Sequence, residues 1–206
     1  DTYDLGVFEG QPFISMELVE GPSLADLLRS EGQLPPAIML QIALAVSSGL
    51  ERIHGVGRFA EFKPSVHCDL KPSNILLSWN GDVKIADFGL LQSWEATPLD
   101  SQALTQQVRG TPSYMSPEQF NGLTPDLRSD LFSLGVILAI MALGKHPIGP
   151  RKMMEKLQRG EALEEDLLPA AVADALREYL PGLEVLISSC LQRDPEQRCP
   201  DVLTLG

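Results

Sequence analysis

The chain has 206 residues, 44% of them apolar, and carries a formal net charge of −12. This apolar fraction lies in the usual globular range and excludes a wholly disordered chain. The acidic balance, with a pI of about 4.6, leaves no basic face for a nucleic acid or an anionic membrane, so we expect neither as a partner.

The three cysteines, Cys68, Cys190 and Cys199, show no C-x-x-C spacing. This argues against a zinc site or a disulfide framework, and free thiols suit a reducing, cytoplasmic compartment. The longest apolar run, LFSLGVILAIMAL at 131–143, is too short for a membrane span and predicts a buried helix. No signal peptide is visible, and the chain begins at Asp1 without a methionine. We therefore expect a piece of a longer protein, in which membrane anchoring elsewhere stays open.

The first quarter of the chain predicts one strand and two helices. The β-forming run PFISMELV predicts a strand at 12–19. A short helix follows, with Ser23 as its N-cap and Gly32 as its stop. A long amphipathic helix begins at Pro35–Pro36 and ends near His54–Gly55, because apolar residues recur between them at helical spacing. Those apolar residues are Ile38, Ile42, Val46, Leu50 and Ile53.

An irregular connection at 55–65 contains G-V-G-R-F-A, which matches the dinucleotide fingerprint in letters only, since it follows a helix rather than a strand. NILLS and DVKIA flank Asn80-Gly81, a strong signal for a β-hairpin. The polar segment 91–110 predicts a long loop. Helices are predicted at 129–143, 151–159, 169–180 and 182–192. The fold is therefore expected to be mainly α with a small β element.

The stretch VHCDLKPSN at 66–74 carries the residues that suggest chemistry, and IADFGLL follows it after the predicted hairpin. Asn74 and Asp87 offer hard oxygen ligands that suit Mg²⁺. Asp69 could accept a proton from a hydroxyl nucleophile, and Lys71 could neutralise charge on a transferred group. Phosphoryl transfer needs little more than such positioning and charge neutralisation.

HCDLKPSN followed by DFG resembles the catalytic and metal loops of eukaryotic-type protein kinases. GTPSYMSPE at 110–118 is similar to the family's substrate-docking loop, SDLFSLGVIL at 129–138 to its central buried helix, and RDPEQR at 193–198 to its closing helix pair. The resemblance implies a kinase C-terminal lobe, a helical bundle around a buried central helix with a small hairpin carrying the catalytic and metal loops. DLKPSN and GTPSY resemble the serine/threonine-specific branch, and YMSPEQ is similar to bacterial members.

The resemblance implies a role for each residue of the catalytic set. Asp69 would be the base that orients the substrate hydroxyl, and Lys71 would contact the γ-phosphate of ATP. Asn74 and Asp87 would hold Mg²⁺. Thr111 would contact Asp69 and Lys71 and shape the pocket beyond the phosphoacceptor.

The stretch SMELVEG resembles the hinge that binds the nucleotide. By this resemblance Met16 would be the gatekeeper, and the backbones of Glu17 and Val19 would bond to adenine. Ser23 would lie near the ribose, and Leu76 would lie under the adenine ring.

Structural roles are implied for further residues. Glu118 and Arg198 would form the ion pair that ties the activation segment to the lobe. Asp130 would hold the catalytic loop through its backbone amides. His67 is expected to pack against Phe88 as part of the core rather than to move protons.

The resemblance divides the chain into 1–22, the last strand of the N-terminal lobe with the hinge, and 23–206, the helical C-terminal lobe. The glycine-rich loop, the strand lysine and the helix glutamate of a complete kinase are absent from this sequence. We expect an N-terminal lobe in cis to supply them, and the chain by itself to bind ATP weakly. The expected partners of the complete protein are ATP, Mg²⁺ and proteins with serine or threonine acceptors.

Two other functions stay open. A pseudokinase or scaffold would have the same fold, but here Asp69, Lys71, Asn74 and Asp87 are all present. A small-molecule phosphotransferase shares the base and metal arrangement. Such enzymes lack the GTPSYMSPE docking loop, whose presence favours protein substrates.

Cys68 departs from the pattern of most family members, which carry arginine there to bind a phosphate on the activation loop. A thiol cannot bind a phosphate in this way. Gln107 occupies the usual phosphoacceptor position, four residues before Thr111. We therefore hypothesise that activity does not require a phosphate at that site.

We predict that replacing Thr97, Ser101 and Thr105 together with alanine leaves the catalytic rate of the complete protein largely intact, because Cys68 offers no cation to a phosphate on any of them. A phosphotransfer assay on purified protein measures this. A drop of about a hundredfold or more would show that loop phosphorylation is required after all.

Overall fold

A computed structural model describes residues 2–8, 11–61, 64–87, 112–147, 149–159 and 168–205. Helices predominate in these ranges, and the strands form two separate antiparallel pairs. The mainly α prediction is therefore confirmed. The predicted loop at 91–110 lies outside the described residues.

The chain begins with a hairpin of β1 (Thr2–Phe8) and β2 (Gln11–Met16), in which Leu5 lies opposite Ile14. The sequence predicted only one strand in this region, at 12–19. That prediction was wrong in two ways, since β1 is a second strand and β2 ends at Met16. After Met16 the chain no longer pairs with β1. The backbone of the following segment hydrogen-bonds instead with the second hairpin, described below.

Two helices follow the first hairpin, as predicted. Helix α1 (Leu24–Glu31) is capped by Ser23, whose Oγ accepts from the Asp26 N–H at 3.2 Å, and ends at Gly32. Helix α2 (Pro36–Ile53) begins at the predicted proline pair. Its buried face consists of Met39, Ile42, Val46 and Leu50. Ile38 was assigned to that face by its spacing, but its side chain is 41% exposed and Met39 occupies the core instead.

The predicted Asn-Gly hairpin is confirmed by β3 (Ile75–Leu77) and β4 (Val83–Ile85). A third extended segment runs beside β3. The Leu77 N–H donates to the Pro22 carbonyl at 2.9 Å and the Trp79 N–H to the Glu20 carbonyl at 2.9 Å. These bonds attach the segment that follows β2 directly to the second hairpin.

Gly21 permits this attachment. A Cβ at that position would lie 1.8 Å from the Leu77 carbonyl oxygen, so any other residue would push the segment away from β3. The close approach of two backbones, and not a turn, accounts for this glycine.

Helices form the rest of the described chain. They are α3 (Pro117–Phe120), α4 (Leu127–Leu143), α5 (Pro150–Arg159), α6 (Ala170–Tyr179) and α7 (Leu183–Cys190). Single 3₁₀ turns lie at Gly57–Phe59, Pro72–Asn74, Pro112–Tyr114, Pro195–Gln197 and Val202–Leu205. The predicted helices are confirmed with shifts at their ends. Helix α4 begins two residues early because the Asp126 carboxylate caps it by accepting the Arg128 N–H at 2.8 Å.

Helix α4 is the centre of the core, as its apolar sequence predicted. Every residue from 129 to 142 is buried, because α2, α6 and α7 pack around it. Across the described residues, no helix is both long enough and apolar enough for a bilayer crossing.

The predicted ion pair between Glu118 and Arg198 is confirmed and is bidentate. Arg198 Nη1 donates to Glu118 Oε1 at 2.6 Å, and Nη2 donates to Oε2 at 2.7 Å. The Ser129 hydroxyl adds a bond to Oε1 at 2.6 Å. Burial works to raise the pKa of Glu118, but the hydrogen bonds and charge of Arg198 outweigh it and hold that pKa below its ordinary value. The pair joins α3 to the C-terminal segment.

We predict that Gly135→Ala lowers the free energy of unfolding by about 1–3 kcal/mol, because the added methyl group overpacks the core. A Cβ at 135 would lie 2.6 Å from the Cys190 Cβ. Gly49→Ala is the matched control, since its Cβ would meet only the flexible end of Ile85, at 2.9 Å. Urea denaturation followed by circular dichroism compares the two variants. Equal urea midpoints would contradict this prediction, because they would show that α7 moves away at Cys190 with no loss of stability.

We predict that Arg198→Met lowers the free energy of unfolding by about 3–5 kcal/mol at neutral pH, because the Glu118 carboxylate stays buried and loses its cationic partner. The pKa of Glu118 is lower in the folded chain than its unfolded value, near 4.5. The ion pair therefore contributes fully to the free energy of unfolding above that unfolded pKa, and this contribution is lost as the pH falls through the folded-state pKa. The stability gap between the wild type and the variant should therefore narrow in acid. Arg177→Met removes exposed ion pairs and should change the urea midpoint little. A gap that is small at neutral pH, or independent of pH, would contradict the assigned role.

Candidate active site

The loop at 66–74 connects α2 to β3 and is held from beneath by the carboxylate of Asp130, in the first turn of α4. Asp130 Oδ2 accepts the His67 N–H at 2.7 Å, and Oδ1 accepts the Cys68 N–H at 2.9 Å. His54 Nε2, from the end of α2, adds a bond to Oδ2 at 2.9 Å. Asp130 is 1% exposed, so these bonds replace the water that a buried carboxylate has lost. The predicted role of Asp130 is confirmed.

Cys68 has a φ of +64°, a left-handed conformation that is strained for a residue other than glycine. Both polar groups of its backbone are held. Asp130 accepts its N–H, and the Gln119 Nε2 donates to its carbonyl at 2.7 Å. Gln119 Oε1 in turn accepts from Ser116 in a capping box at α3. The strained peptide before Asp69 is thus fixed from two sides, by α4 and by α3.

His67 is fully buried and serves the shape of the loop. Its Nδ1 accepts the Asp69 N–H at 3.3 Å, so Nε2 carries the proton and donates to the Ala86 carbonyl at 2.9 Å. The imidazole therefore joins the loop at 66–74 to the end of β4. This agrees with the structural interpretation of His67, whereas its expected contact with Phe88 lies outside the described residues.

Asp69, Lys71 and Asn74 come together as predicted. Lys71 Nζ donates to Asp69 Oδ2 at 2.6 Å. Asn74 Nδ2 donates to the Asp69 carbonyl at 3.0 Å and to Oδ2 at 3.3 Å. The Asp69 carboxylate is therefore oriented by one cation and one amide, and within the described ranges no hydrogen bond reaches its other oxygen, which can accept from a further donor.

Asp87 reaches the same region through the backbone of the second hairpin. The Ala86 N–H donates to the Asn74 carbonyl at 2.8 Å, which continues the β3–β4 pairing beyond the strands. Asp87 itself is exposed and, like Cys68, left-handed, with a φ of +64°. Its strained backbone follows directly on the residue that is bonded to Asn74.

The donor set at this point fits Mg²⁺. The Asn74 amide nitrogen faces Asp69, whose oxygens only accept, so the amide oxygen Oδ1 faces away from Asp69. Oδ1 accepts a long hydrogen bond from the Ser73 hydroxyl at 3.4 Å, and its second lone pair can ligate a cation. Asp87 adds an exposed carboxylate. Two protein oxygens are the kind of set that Mg²⁺ uses when water and phosphate oxygens complete its shell.

The residues expected at the nucleotide lie along the hinge and β3. Met16 ends β2 and is 43% exposed, and Glu17 and Val19 follow it, half-buried. An isolated antiparallel bridge places Ser23 opposite Leu76 of β3. The structure therefore brings the hinge and β3 side by side. The Ser23 hydroxyl is already engaged, since it donates to Asp26 Oδ2 at 2.6 Å as part of the α1 cap.

An ion pair that the sequence did not predict spans the hinge. Lys84 Nζ of β4 donates to the Glu17 carboxylate. The hydrogen bond with Lys84 lowers the pKa of Glu17, and the pKa of Lys84 is raised by the same bond. A side chain of the second hairpin thereby ties down the segment that follows β2.

The turn Pro112–Tyr114, within the expected docking loop, packs on the C-terminal helices. The Ser133 hydroxyl of α4 donates to the Tyr114 carbonyl at 2.7 Å, and the His146 Nε2 lies 3.1 Å from the Ser113 carbonyl. Burial lowers the pKa of His146, which therefore stays neutral and donates a single proton to that carbonyl. Thr111, the predicted neighbour of Asp69 and Lys71, lies outside the described residues.

Sequence reasoning missed three residues that shape this region: Gln119, His54 and Lys84. The S-x-x-Q spacing of Ser116 and Gln119 is a capping-box signal that was available from the sequence. No local signal shows that the Gln119 amide also reaches Cys68, 51 positions away in the chain. The contacts of His54 and Lys84 are likewise long-range.

A family profile described as the protein kinase domain matches residues 4–202. Serine/threonine-protein kinase PknL of Mycobacterium tuberculosis is 36% identical over 207 residues, which cover 100% of this chain and 48% of that protein. Serine/threonine-protein kinases PknA of Corynebacterium glutamicum is 36% identical over 189 residues, which cover 92% of this chain and 37% of that protein. Mitogen-activated protein kinase kinase 1 of Arabidopsis thaliana is 35% identical over 189 residues, which cover 90% of this chain and 50% of that protein.

The chain spans about half or less of the length of these curated relatives. Two of the three are bacterial, in agreement with the resemblance noted in YMSPEQ. The profile match runs from β1 to the last 3₁₀ turn and so includes both hairpins, the loop at 66–74 and the central helix. The chain therefore belongs to the protein kinase family, and to its eukaryotic-type serine/threonine members.

Proposed function

We propose that the complete protein is an ATP-dependent serine/threonine protein kinase, and that this chain supplies its catalytic and substrate-binding lobe. In this proposal residues 1–22 are the end of the N-terminal lobe with the hinge, and residues 23–206 are the C-terminal lobe. The segment at 20–23, which runs along β3, is the join between them.

One observation carries the proposal: Asp69, Lys71 and Asn74 converge on a strained loop that Asp130 holds in place. Lys71 and Asn74 both donate to the same oxygen of Asp69. A loop held at a left-handed φ costs about 1–3 kcal/mol, and the surrounding contacts must supply that energy. Strain retained beside a carboxylate with two donors is typical of a catalytic loop and not of a surface turn.

In the proposed reaction the oxygen of the substrate hydroxyl attacks the γ-phosphorus of ATP while Asp69 accepts the hydroxyl proton. The bond from that phosphorus to the oxygen that bridges the β- and γ-phosphates breaks, and ADP leaves. Lys71, beside Asp69, neutralises negative charge on the phosphoryl group in transit. Their contact at 2.6 Å keeps the base and the cation in one place, so little rearrangement precedes the transfer.

Asn74 Oδ1 and the Asp87 carboxylate would hold Mg²⁺. When bound, Mg-ATP supplies the phosphoryl group and screens the charge on its oxygens. Met16 and the backbones of Glu17 and Val19 would line the adenine side, with Ser23 and Leu76 at the ribose and below the ring. The Glu17–Lys84 ion pair supports this arrangement, because it fixes the hinge segment relative to β4.

Protein substrates are favoured over small molecules by the turn at 112–114 and the helix α3 that follows. Both are built into the lobe, through Ser133 to Tyr114 and through Gln119 to Cys68. In the proposal, Thr111 adjoins this platform and completes the pocket beyond the acceptor residue. A fixed platform next to Asp69 suits an extended peptide segment.

The contacts of Cys68 also bear on regulation. Burial, with the negative charges of Asp130 and Asp69, raises the pKa of the Cys68 thiol to about 12, so the side chain stays neutral. A cysteine has no cationic form, so it offers no positive charge to a phosphate. Asp130 and Gln119 hold the loop at 66–74 in place without a bound phosphate. This supports the hypothesis that catalysis does not depend on phosphorylation of the activation loop.

We predict that Asp69→Asn in the complete protein lowers kcat for phosphate transfer to a serine-containing protein by about a hundredfold or more, since the amide cannot accept the hydroxyl proton. Transfer of label from γ-labelled ATP, followed by phosphoamino-acid analysis, measures both the rate and the acceptor. Phosphoserine and phosphothreonine are the expected products.

Asp82→Asn is the matched control, because it makes the same change in an exposed residue of the β3–β4 turn and should leave kcat unchanged. Absence of transfer by the wild type, with ATP binding retained or lost, would favour a pseudokinase. Label transferred to a small alcohol or an amino sugar, and not to protein, would favour a small-molecule phosphotransferase. Either outcome overturns the proposal.

A further inference from the structure

A pair of cysteines adjoins the Glu118–Arg198 ion pair, because Cys199 follows Arg198 in the chain. Cys190 is the last residue of α7 and is fully buried. Cys199 follows Arg198 directly and is half-buried, so reagents in solution can reach it. Both are free thiols in the structure.

The two sulfur atoms lie in contact, 3.9 Å apart. The backbones are joined as well, because the Cys199 N–H donates to the carbonyl of Ser189, the residue before Cys190, at 3.3 Å. Cys190 cannot move away, since it packs on Gly135 of α4, where even a methyl group would lie 2.6 Å from its Cβ. Short side-chain rotations are enough to bring such sulfurs to bonding distance, and no element has to separate.

The two thiols differ in reactivity. Either thiol can donate to the other across this contact. The hydrogen bond with Cys190 lowers the pKa of Cys199 and so raises its thiolate fraction at neutral pH. The same bond and burial raise the pKa of Cys190 well above its ordinary value. The more accessible sulfur is therefore the better nucleophile, and the buried one stands next to it as a resolving thiol.

We propose that Cys190 and Cys199 form an oxidant-sensitive modification site, which a peroxide converts to an intramolecular disulfide. The Cys199 thiolate attacks one peroxide oxygen, the O–O bond breaks, and with hydrogen peroxide a sulfenic acid and hydroxide result. The Cys190 thiol then attacks the sulfenic sulfur, and the sulfenic oxygen leaves as water with the thiol proton. The proton that Cys199 lost on ionisation neutralises the hydroxide of the first step. Overall two thiols are oxidised to one disulfide while one hydrogen peroxide is reduced to two waters. The site does not depend on the proposed function.

This disulfide would join the segment that carries Arg198 to the end of α7. The Arg198 guanidinium reaches Glu118, and its Nε donates to the Gln192 carbonyl at 2.7 Å, between the two cysteines in sequence. The disulfide would therefore lie directly beside the residue that anchors α3 through Glu118. Reduction by a thiol such as dithiothreitol restores both cysteines.

The test uses the reduced chain, treated with hydrogen peroxide in stoichiometric steps, then alkylated and digested with trypsin. Cleavage after Arg193 and Arg198 places Cys190 and Cys199 on different peptides. We expect a peptide pair joined by a bond between these cysteines, two hydrogens lighter than the sum of its parts and released by dithiothreitol. Cys68, whose pKa is raised to about 12, should be alkylated only after denaturation and should not enter the disulfide.

Two serine variants test the separate roles. In Cys190→Ser, the Cys199 sulfenic acid should persist and be trapped by a cyclic 1,3-dione reagent, whereas in Cys199→Ser peroxide should leave Cys190 a thiol. Since Cys190→Ser alters a packed position, circular dichroism first confirms that the variant is folded. The proposal is overturned if the wild type keeps both thiols in excess peroxide, or if it forms only disulfides between chains on a non-reducing gel.

Discussion

The arrangement of the loop at 66–74 depends on one buried carboxylate, that of Asp130. It accepts two successive backbone N–H groups of the loop and a third bond from His54 of α2. Because Asp130 lies in the first turn of α4, the positive end of that helix favours its charge. The buried central helix therefore holds the strained Cys68 conformation, and through it the direction of Asp69.

The two hairpins connect this anchor to the hinge. The short β3–β4 pair is bonded to the hinge segment at Pro22 on one side and continues at the Ala86–Asn74 bond on the other. Its Lys84 adds the ion pair with Glu17. Residues that are far apart in the chain are thus arranged around one small sheet, whose backbone hydrogen bonds set their positions more tightly than side-chain packing alone would.

The buried pair of Arg198 and Glu118 is a second anchor. Arg198 also donates to the backbone carbonyls of Gln192, Arg193 and Arg128. Helix α3, held by this pair, carries Gln119, whose amide reaches the Cys68 carbonyl. A change at Arg198 is therefore two contacts away from the loop at 66–74. The Cys190–Cys199 pair adjoins this anchor, which gives the C-terminal segment a chemical role besides its structural one.

The features that could be predicted from the amino-acid sequence rest on short-range forces. Helix α1 between Ser23 and Gly32 follows from local capping, and the β3–β4 hairpin from its Asn-Gly turn. The apolar run of α4 marked a helix buried on all sides. The motif resemblance supplied the roles of Asp69 and Asp130, because these residues stand at fixed spacings in the family.

Which distant groups meet became visible only in the folded chain. The contacts of Gln119 with Cys68, of Lys84 with Glu17 and of Cys190 with Cys199 arise when buried faces pack, and no local pattern encodes them. The exposure of Ile38 and the early end of β2 were missed for the same reason. Helical spacing shows which residues share a face, but the neighbouring elements determine where that face ends. A strand likewise ends where its backbone finds another partner.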